Sequence, residues 1–169
     1  GTPEDPHQNE ELVGEALKWV RGQVQIASKF GIHFDTDSSQ VNHPLVPDSR
    51  PEVIRSSVEG SLKRLQTDYI DLYFQHRIDP AVPPEEVAGT MFELINEGKI
   101  LHWGISEANK EYLRRAHAVC PVTAVENRYS MMARQYEGLF PVLEELGVGL
   151  VAFSPMANGF LTGKYGKGS

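Results

Sequence analysis

Short β-strand-like runs alternate with longer helix-like runs along the chain, and this alternation limits the folds that the chain can adopt. Each strand-like run is rich in β-branched or aromatic residues and is bounded by turn residues, as strands usually are. Alternation at intervals of about 30 residues predicts a parallel sheet with helical crossovers, which is an α/β fold. We find no internal repeat, so residues 1–169 are expected to form a single domain. The predicted strands are Val24–Phe30, Tyr69–Gln75, Ile100–Ile105, Val122–Glu126 and Gly149–Phe153.

Apolar residues at intervals of three and four predict helices between these strands. Asn9 and Asn109 are candidate N-caps, because an asparagine side chain can accept from a free N–H of the first turn. Pro51 and Pro84 suit the first position of a helix, where no N–H is needed. The predicted helices start at Asn9 and Pro51, and run from Pro84 to Gly98, from Asn109 to Val119 and from Tyr136 to Leu146.

Two of the predicted strands end in side chains that are suited to catalysis. Lys29 lies near the end of the first strand, and His76 directly follows the second. A cation on a covered parallel strand costs several kcal/mol, roughly, in desolvation unless something pairs with it. Ligands of parallel α/β folds bind beyond the carboxyl ends of the strands. The two side chains therefore predict one active site at that end of the sheet.

The connection Phe34–Arg50 is unusually long and polar, and it follows the Lys29 strand. We expect this loop to lie at the mouth of the same site, since long loops in compact domains are often functional. His33, Asp35 and Asp37 could chelate a divalent ion. Loop carboxylates are more often solvated, so no metal site is predicted.

The composition excludes several classes of function. The net charge of −7 and a pI of about 5.3 argue against nucleic-acid binding. No apolar run approaches the roughly 20 residues of a membrane span, and the acidic first residues do not resemble a secretory signal. Cys120 is the only cysteine. A cytoplasmic location is expected, because reducing compartments do not favour disulfides.

Six segments resemble the aldo-keto reductase family in their order and spacing. The resemblance implies a (β/α)8 barrel of the TIM type, here an incomplete barrel of about five β/α units that correspond to strands three to seven. It also implies NADPH bound across the carboxyl face of the barrel and a small-molecule carbonyl substrate. The six segments are Asn9–Leu17, Ala27–Gly31, Ser61–His76, Glu97–Ser106, Glu126–Ser130 and Phe153–Tyr165.

The family resemblance assigns catalytic roles to Lys29 and His76. In the family an aspartate, a tyrosine, a lysine and a histidine act together while hydride arrives from the nicotinamide. The lysine, paired with the aspartate, lowers the pKa of the tyrosine, as a nearby cation does, and the histidine orients the carbonyl. The tyrosine and aspartate should precede Asn9, yet residues 1–8 contain no tyrosine. We therefore expect the 169-residue chain alone to reduce carbonyls well below the rate of the family.

The resemblance also implies cofactor contacts along the later strands. The nicotinamide carboxamide would be held by a serine and two carboxylates, the ring by an aromatic side chain, and the pyrophosphate by a loop and a lysine. A carboxylate can accept from the amide nitrogen but donates nothing unless it is protonated. The implied residues are Ser106, Glu107, Glu126, Phe153, Ser154, Pro155, Met156, Ala157, Asn158 and Lys164.

Two other functions remain open at this stage. Potassium-channel β-subunits share the fold and much of the amino-acid sequence of these segments, and act mainly as cofactor-binding partners. They tend to carry asparagine where His76 stands, so His76 favours the enzyme. The other alternative is an inactive truncated remnant.

An incomplete barrel leaves open strand edges, and this predicts self-association. Val24–Phe30 and Gly149–Phe153 would be apolar edge strands, which recruit other strands. The inner face would also expose Ile26, Leu72 and Phe74, since the facing layers are missing.

Overall fold

The computed structural model describes residues 5–35, 37–38 and 44–166. These residues form seven strands and five α-helices, together with short 3-10 helices at Arg21–Gln23, Glu137–Leu139 and Ala157–Thr162. In chain order the elements are α1 Gln8–Leu17, β1 Ala27–Phe30, β2 Ile32–Phe34, β3 Leu45–Pro47, α2 Pro51–Leu65, β4 Ile70–Gln75, α3 Pro84–Asn96, β5 Ile100–Ser106, α4 Lys110–Val119, β6 Ala124–Arg128, α5 Phe140–Leu146 and β7 Gly149–Phe153.

The main sheet is parallel throughout. Among the described residues, five strands form it in the order β1-β4-β5-β6-β7. One α-helix lies between each pair of neighbouring strands in the chain, from α2 to α5. This order confirms the predicted parallel α/β fold of five β/α units. All five predicted strands are present, with boundaries that differ by up to three residues.

The helix boundaries follow the predicted signals at most positions. Pro51 and Pro84 begin α2 and α3, and the Asn109 side chain caps α4 by accepting from the N–H of Tyr112 at 2.9 Å. The prediction that Asn9 caps the first helix is wrong, because α1 already begins at Gln8 and has no side-chain cap. The last predicted helix divides into a 3-10 turn and α5, since Pro141 lacks the N–H that would continue the first turn.

The long polar connection contains an antiparallel hairpin that the sequence did not indicate. β2 pairs with β3, with Ile32 opposite Pro47 and Phe34 opposite Leu45. Its strands are three residues each, too short for a clear alternating pattern. Residues 36 and 39–43 of this predicted loop lie outside the described residues.

The two faces of the main sheet have different surroundings. Tyr73, Trp103, Ile105 and Val125 are fully buried beneath the helices and form the core with side chains of α2, α3, α4 and α5. We call the opposite side the inner face; the strands place one registered row on it, consisting of Lys29, Phe74, Gly104, Ala124 and Gly149.

The expected exposure of apolar residues is wrong at two of three positions. Ile26 is 4% exposed, because it packs into the helix-side core. Phe74 is only 2% exposed, because its ring lies over Gly104 of the next strand. Leu72 is partly exposed, as predicted.

The outermost strands each pair on one side among the described residues. β1 pairs with β4, and β7 pairs with β6. In β7, Leu150 is 36% and Val151 is 42% exposed, so neither face of this strand is well covered. Within the described residues, no helix has the length and apolar character needed to cross a membrane.

Gly104 is expected to be required for close packing of the inner face. A Cβ at this position would lie 2.6 Å from the carbonyl oxygen of Ala124 and 2.6 Å from Cδ1 of Phe74. Gly104→Ala should therefore lower the free energy of unfolding by about 1–3 kcal/mol through overpacking, as measured by urea denaturation.

Gly89 provides the matched control, because an added Cβ in this part of α3 meets nothing within 4 Å. Gly89→Ala should raise the free energy of unfolding by about 0.5–1 kcal/mol, the usual gain of alanine over glycine within a helix. Equal stability of the two variants would contradict the close approach at Gly104.

Candidate active site

Lys29 lies on the inner face and forms an ion pair across the sheet. Its Nζ is 3.1 Å from Oε2 of Glu126. The Lys29 side chain is 34% exposed and that of Glu126 is 15% exposed, so the pair is partly shielded from water. The structure thus brings together two predicted site residues that lie far apart in the sequence.

The ion pair shows that the inner face is concave. β4 and β5 lie between the strands that carry the two residues, and neighbouring strands are about 4.8 Å apart. The two side chains therefore reach across three strand spacings, about 14 Å on a flat sheet. Gly104 belongs to the registered row of Lys29, two residues before Ser106, which pairs with Glu126, and it presents no side chain on the inner face. Curvature of the sheet and the gap at Gly104 together allow the contact.

His76 directly follows β4 and lies close to Lys29. Its backbone N–H donates to the carbonyl oxygen of Phe30 at 2.9 Å, which ties it to the end of β1. Burial lowers the pKa of His76 to about 4, and the positive charges of Lys29 and Arg77 act in the same direction. The imidazole is therefore neutral at neutral pH and carries both a hydrogen-bond donor and an acceptor.

A buried polar network behind His76 fixes the end of β4. Gln75 is fully buried; its Nε2 donates to Oγ of Ser49 at 3.0 Å, and its Oε1 accepts from the hydroxyl of Tyr112 at 2.9 Å. The N–H of Ser49 in turn donates to Asp79 at 2.9 Å. The network joins β4, α4 and the base of the hairpin. Sequence reasoning missed it, since its four members are scattered along the chain.

Ser106 and Glu107 meet the backbone of Glu126 at the carboxyl end of β5. The hydroxyl of Ser106 donates to the carbonyl oxygen of Glu126 at 3.0 Å, and the N–H of Glu107 donates to the same oxygen at 3.1 Å. Glu107 has a φ of 54°, in the left-handed region that costs energy for a non-glycine residue. Burial raises the pKa of Tyr136, and the charge of Glu107 adds to this effect.

The loop after β7 is the second place where the backbone is strained. Ser154, Ala157 and Asn158 have φ values of 52°, 49° and 54°. Such conformations cluster at ligand clamps and switch regions. Phe153 is half-buried just before the loop, and Pro155, Met156 and Lys164 are exposed. The predicted cofactor residues at the end of β7 and after it thus stay at the carboxyl edge of the sheet, and within the described residues no hydrogen bond or ion pair joins them to Lys29 or His76.

The acidic and histidine side chains do not gather into a metal site in the part of the chain that the structure describes. No group of three or more histidine, cysteine, aspartate or glutamate residues is placed to hold an ion there. The polar side chains described at the site are those of Lys29, His76, Ser106 and Glu126.

Comparison with known proteins identifies the family. Residues 5–169 match the Aldo/keto reductase family. Probable aldo-keto reductase 1 of Glycine max is 46% identical over 158 residues, which cover 92% of this chain and 44% of that protein. The chain belongs to the aldo/keto reductase family, whose members are oxidoreductases that use a nicotinamide cofactor and act on small carbonyl compounds.

Solved structures of the family share the fold of this chain. The glycerol dehydrogenase of Gluconobacter oxydans superimposes with a TM-score of 0.86 at 31% identity, over 95% of this chain and 49% of that one. An aldo/keto reductase of Klebsiella pneumoniae in complex with NADP and acetate gives a TM-score of 0.71 at 28% identity, over 95% and 53% of the chains. The sheet matches part of the (β/α)8 barrel of these structures, and the chain spans about half the length of the relatives it matches.

The neutral state of His76 predicts a pH dependence of stability. An unfolded histidine titrates near 6.5, so the unfolded chain binds the proton first as the pH falls. Stability should be fully present above about pH 6.5 and should decline between about pH 6.5 and 4. His76→Gln should make this decline shallower, as measured by urea midpoints across that range.

The control is His102→Gln, a change at an exposed histidine of β5. An acid-side decline of the same steepness in wild type and His76→Gln would contradict the buried, neutral imidazole.

Proposed function

We propose that the full-length protein carrying these residues is an NADP-dependent aldo-keto reductase that reduces aldehydes or ketones to alcohols. The observation that supports this most directly is that Lys29 and His76 lie at the carboxyl ends of two paired strands, where the N–H of His76 bonds to the carbonyl oxygen of Phe30. Their chain belongs to a family of oxidoreductases. The proposed substrate is a small carbonyl compound. The cytoplasmic location stays a prediction from the composition.

His76 is suited to orient the carbonyl of the substrate. A neutral imidazole donates one hydrogen bond without adding charge, and it is held from behind by the backbone bond to Phe30. Lys29 supplies positive potential where negative charge would develop on the carbonyl oxygen. A donor and a cation placed in advance stabilise such charge at little cost in reorganisation.

The nicotinamide cofactor would supply the hydride when bound. We assign its carboxamide to Ser106, Glu107 and Glu126, its ring to Phe153, and its phosphates to the loop 154–158 and Lys164. Two features support this assignment: the strained backbone at Ser154 and the exposed position of Lys164. NADP is the cofactor in the Klebsiella pneumoniae structure, and a lysine suits a phosphate as a point charge.

Substitution of Lys29 or His76 in the full-length protein tests this function. Lys29→Met and His76→Ala should each lower kcat for aldehyde reduction by roughly 10²-fold, the scale of losing one preorganised electrostatic group. The affinity for NADPH should change little, because both side chains face the carbonyl. The assay follows NADPH oxidation with a panel of aldehydes, alongside NADPH binding by fluorescence.

Lys63→Met on the exposed surface of α2 is the matched control and should leave kcat unchanged. Binding of NADPH without turnover of any carbonyl would favour a cofactor-binding partner resembling the potassium-channel β-subunits. Loss of NADPH affinity with kcat preserved would place Lys29 or His76 in the cofactor site instead.

We also propose that a polypeptide of these 169 residues self-associates through its open edges. β1 and β7 each have one side without a paired strand among the described residues, and β7 is exposed on both faces. Unpaired apolar edges recruit other strands. Light scattering should therefore show dimers or larger species, and a monodisperse monomer would refute the proposal.

A further inference from the structure

We propose that Ser49 is a positioning residue for His76, and that the hydroxyl of Tyr112 supports this role through Gln75. The assignment rests on the function proposed above. It follows from two hydrogen bonds that join Ser49, a fully buried residue, to the chain on either side of His76.

The segment that carries His76 is held at both ends by Ser49. Before the histidine, Nε2 of Gln75 donates to Oγ of Ser49 at 3.0 Å. After it, the N–H of Ser49 donates to Oδ2 of Asp79 at 2.9 Å. A movement of the backbone at His76 would therefore strain or break bonds to one buried residue.

The other members of the network leave its bonds little freedom to rearrange. The hydroxyl of Tyr112 donates to Oε1 of Gln75 at 2.9 Å, so the amide nitrogen of Gln75 faces Ser49. Burial raises the pKa of Tyr112 to about 12, which keeps this donor protonated at neutral pH. Oδ1 of Asp79 accepts from the N–H of Ala81 at 2.9 Å, so both carboxylate oxygens are used. A buried network with its partners satisfied is rigid.

Ser49 also lies close to the end of the strand that carries Lys29. Gly31, two residues after Lys29, has a φ of 87°, and a Cβ there would lie 3.1 Å from Oγ of Ser49. The carbonyl oxygen of Gly31 accepts from the N–H of Asp48 at 3.1 Å. Ser49 is thus placed to fix the position of His76 relative to Lys29.

A second buried serine–tyrosine pair on the helix side provides a matched control. Oγ of Ser61 and the hydroxyl of Tyr73 lie 3.3 Å apart, and both residues are almost fully buried. Tyr73 belongs to β4, two residues before Gln75. Loss of a hydroxyl from either pair leaves a buried polar group without its partner, which lowers stability. Only loss from the Ser49 network should also affect catalysis.

The first experiment measures amide hydrogen exchange in the full-length protein and needs no substrate. Ser49→Ala and Tyr112→Phe should each speed exchange at the His76 amide about tenfold or more, because local opening becomes easier. Ser61→Ala and Tyr73→Phe should leave that rate unchanged while lowering the urea midpoint. Tyr112→Phe keeps the ring in place, so it decides the question if Ser49→Ala does not fold. Unchanged exchange at His76 in Tyr112→Phe would overturn the inference.

The second experiment measures aldehyde reduction by the same variants. Ser49→Ala and Tyr112→Phe should each lower kcat about tenfold without raising KM for NADPH, since a small misplacement of a catalytic group is costly. Ser61→Ala and Tyr73→Phe should leave kcat unchanged. In the His76→Ala background, Tyr112→Phe should cause no further loss, because its effect passes through the histidine.

Two kinetic results would overturn the inference. One is an equal loss of kcat in Tyr73→Phe and Tyr112→Phe, which would indicate a general effect of stability. The other is a loss in Tyr112→Phe that persists in the His76→Ala background. Failure of the wild-type protein to reduce any carbonyl would count against the proposed function instead, and hydrogen exchange at His76 would still decide whether the network holds it.

Discussion

The parallel register of the central strands is the constraint on which the candidate site depends. It aligns Lys29 with Phe74, Gly104 and Ala124 on the inner face. The next row toward the carboxyl ends includes Ser106 opposite Glu126, and His76 follows Gln75 at the same level. A slip of one residue would turn these side chains into the helix-side core. The buried Tyr73, Trp103 and Val125 oppose such a slip, because they would then lose their core contacts.

The helix-side core and the inner face thus perform separate tasks in one sheet. Helix-side residues are large, apolar and fully buried, so they carry most of the stabilisation from burial. Apart from Phe74, whose ring lies over Gly104, the registered row of the inner face holds small or polar residues, which makes room for side chains to reach across. The hydrogen-bonded network of Gln75, Ser49 and Tyr112 is the exception, since it places polar groups within the core. Buried networks with all partners satisfied rigidify their surroundings, and this one lies directly behind His76.

Much of this architecture could be predicted from the sequence, for identifiable reasons. The strands were found because β-branched and aromatic runs lie between clear helical stripes, and Pro51, Pro84 and Asn109 mark helix starts through local backbone chemistry. Lys29 and His76 were predicted to share a site, since strand ends of a parallel sheet meet at one edge.

The features that the sequence did not reveal all depend on long-range geometry. The Lys29–Glu126 contact requires curvature across four strands, which no local pattern encodes. The burial of Phe74 requires the missing side chain of Gly104 on the neighbouring strand. The hairpin in the polar connection has too few residues for a recognisable alternation. Asn9 does not cap α1, because α1 begins one residue earlier, at Gln8, without using a side-chain acceptor.

Lys29 and His76 show how two basic groups in the same part of the site can differ in charge. Both lie on the inner face near the carboxyl ends of their strands, and both lose some contact with water. Lys29 has a carboxylate within 3.1 Å that compensates its charge. The influences on His76 are burial and the positive charges of Lys29 and Arg77, all of which disfavour its protonated form. The ion pair therefore acts on the histidine as well, since it holds a cation close to the imidazole. A cation beside a neutral hydrogen-bonding group is an arrangement that can stabilise negative charge developing on an oxygen atom.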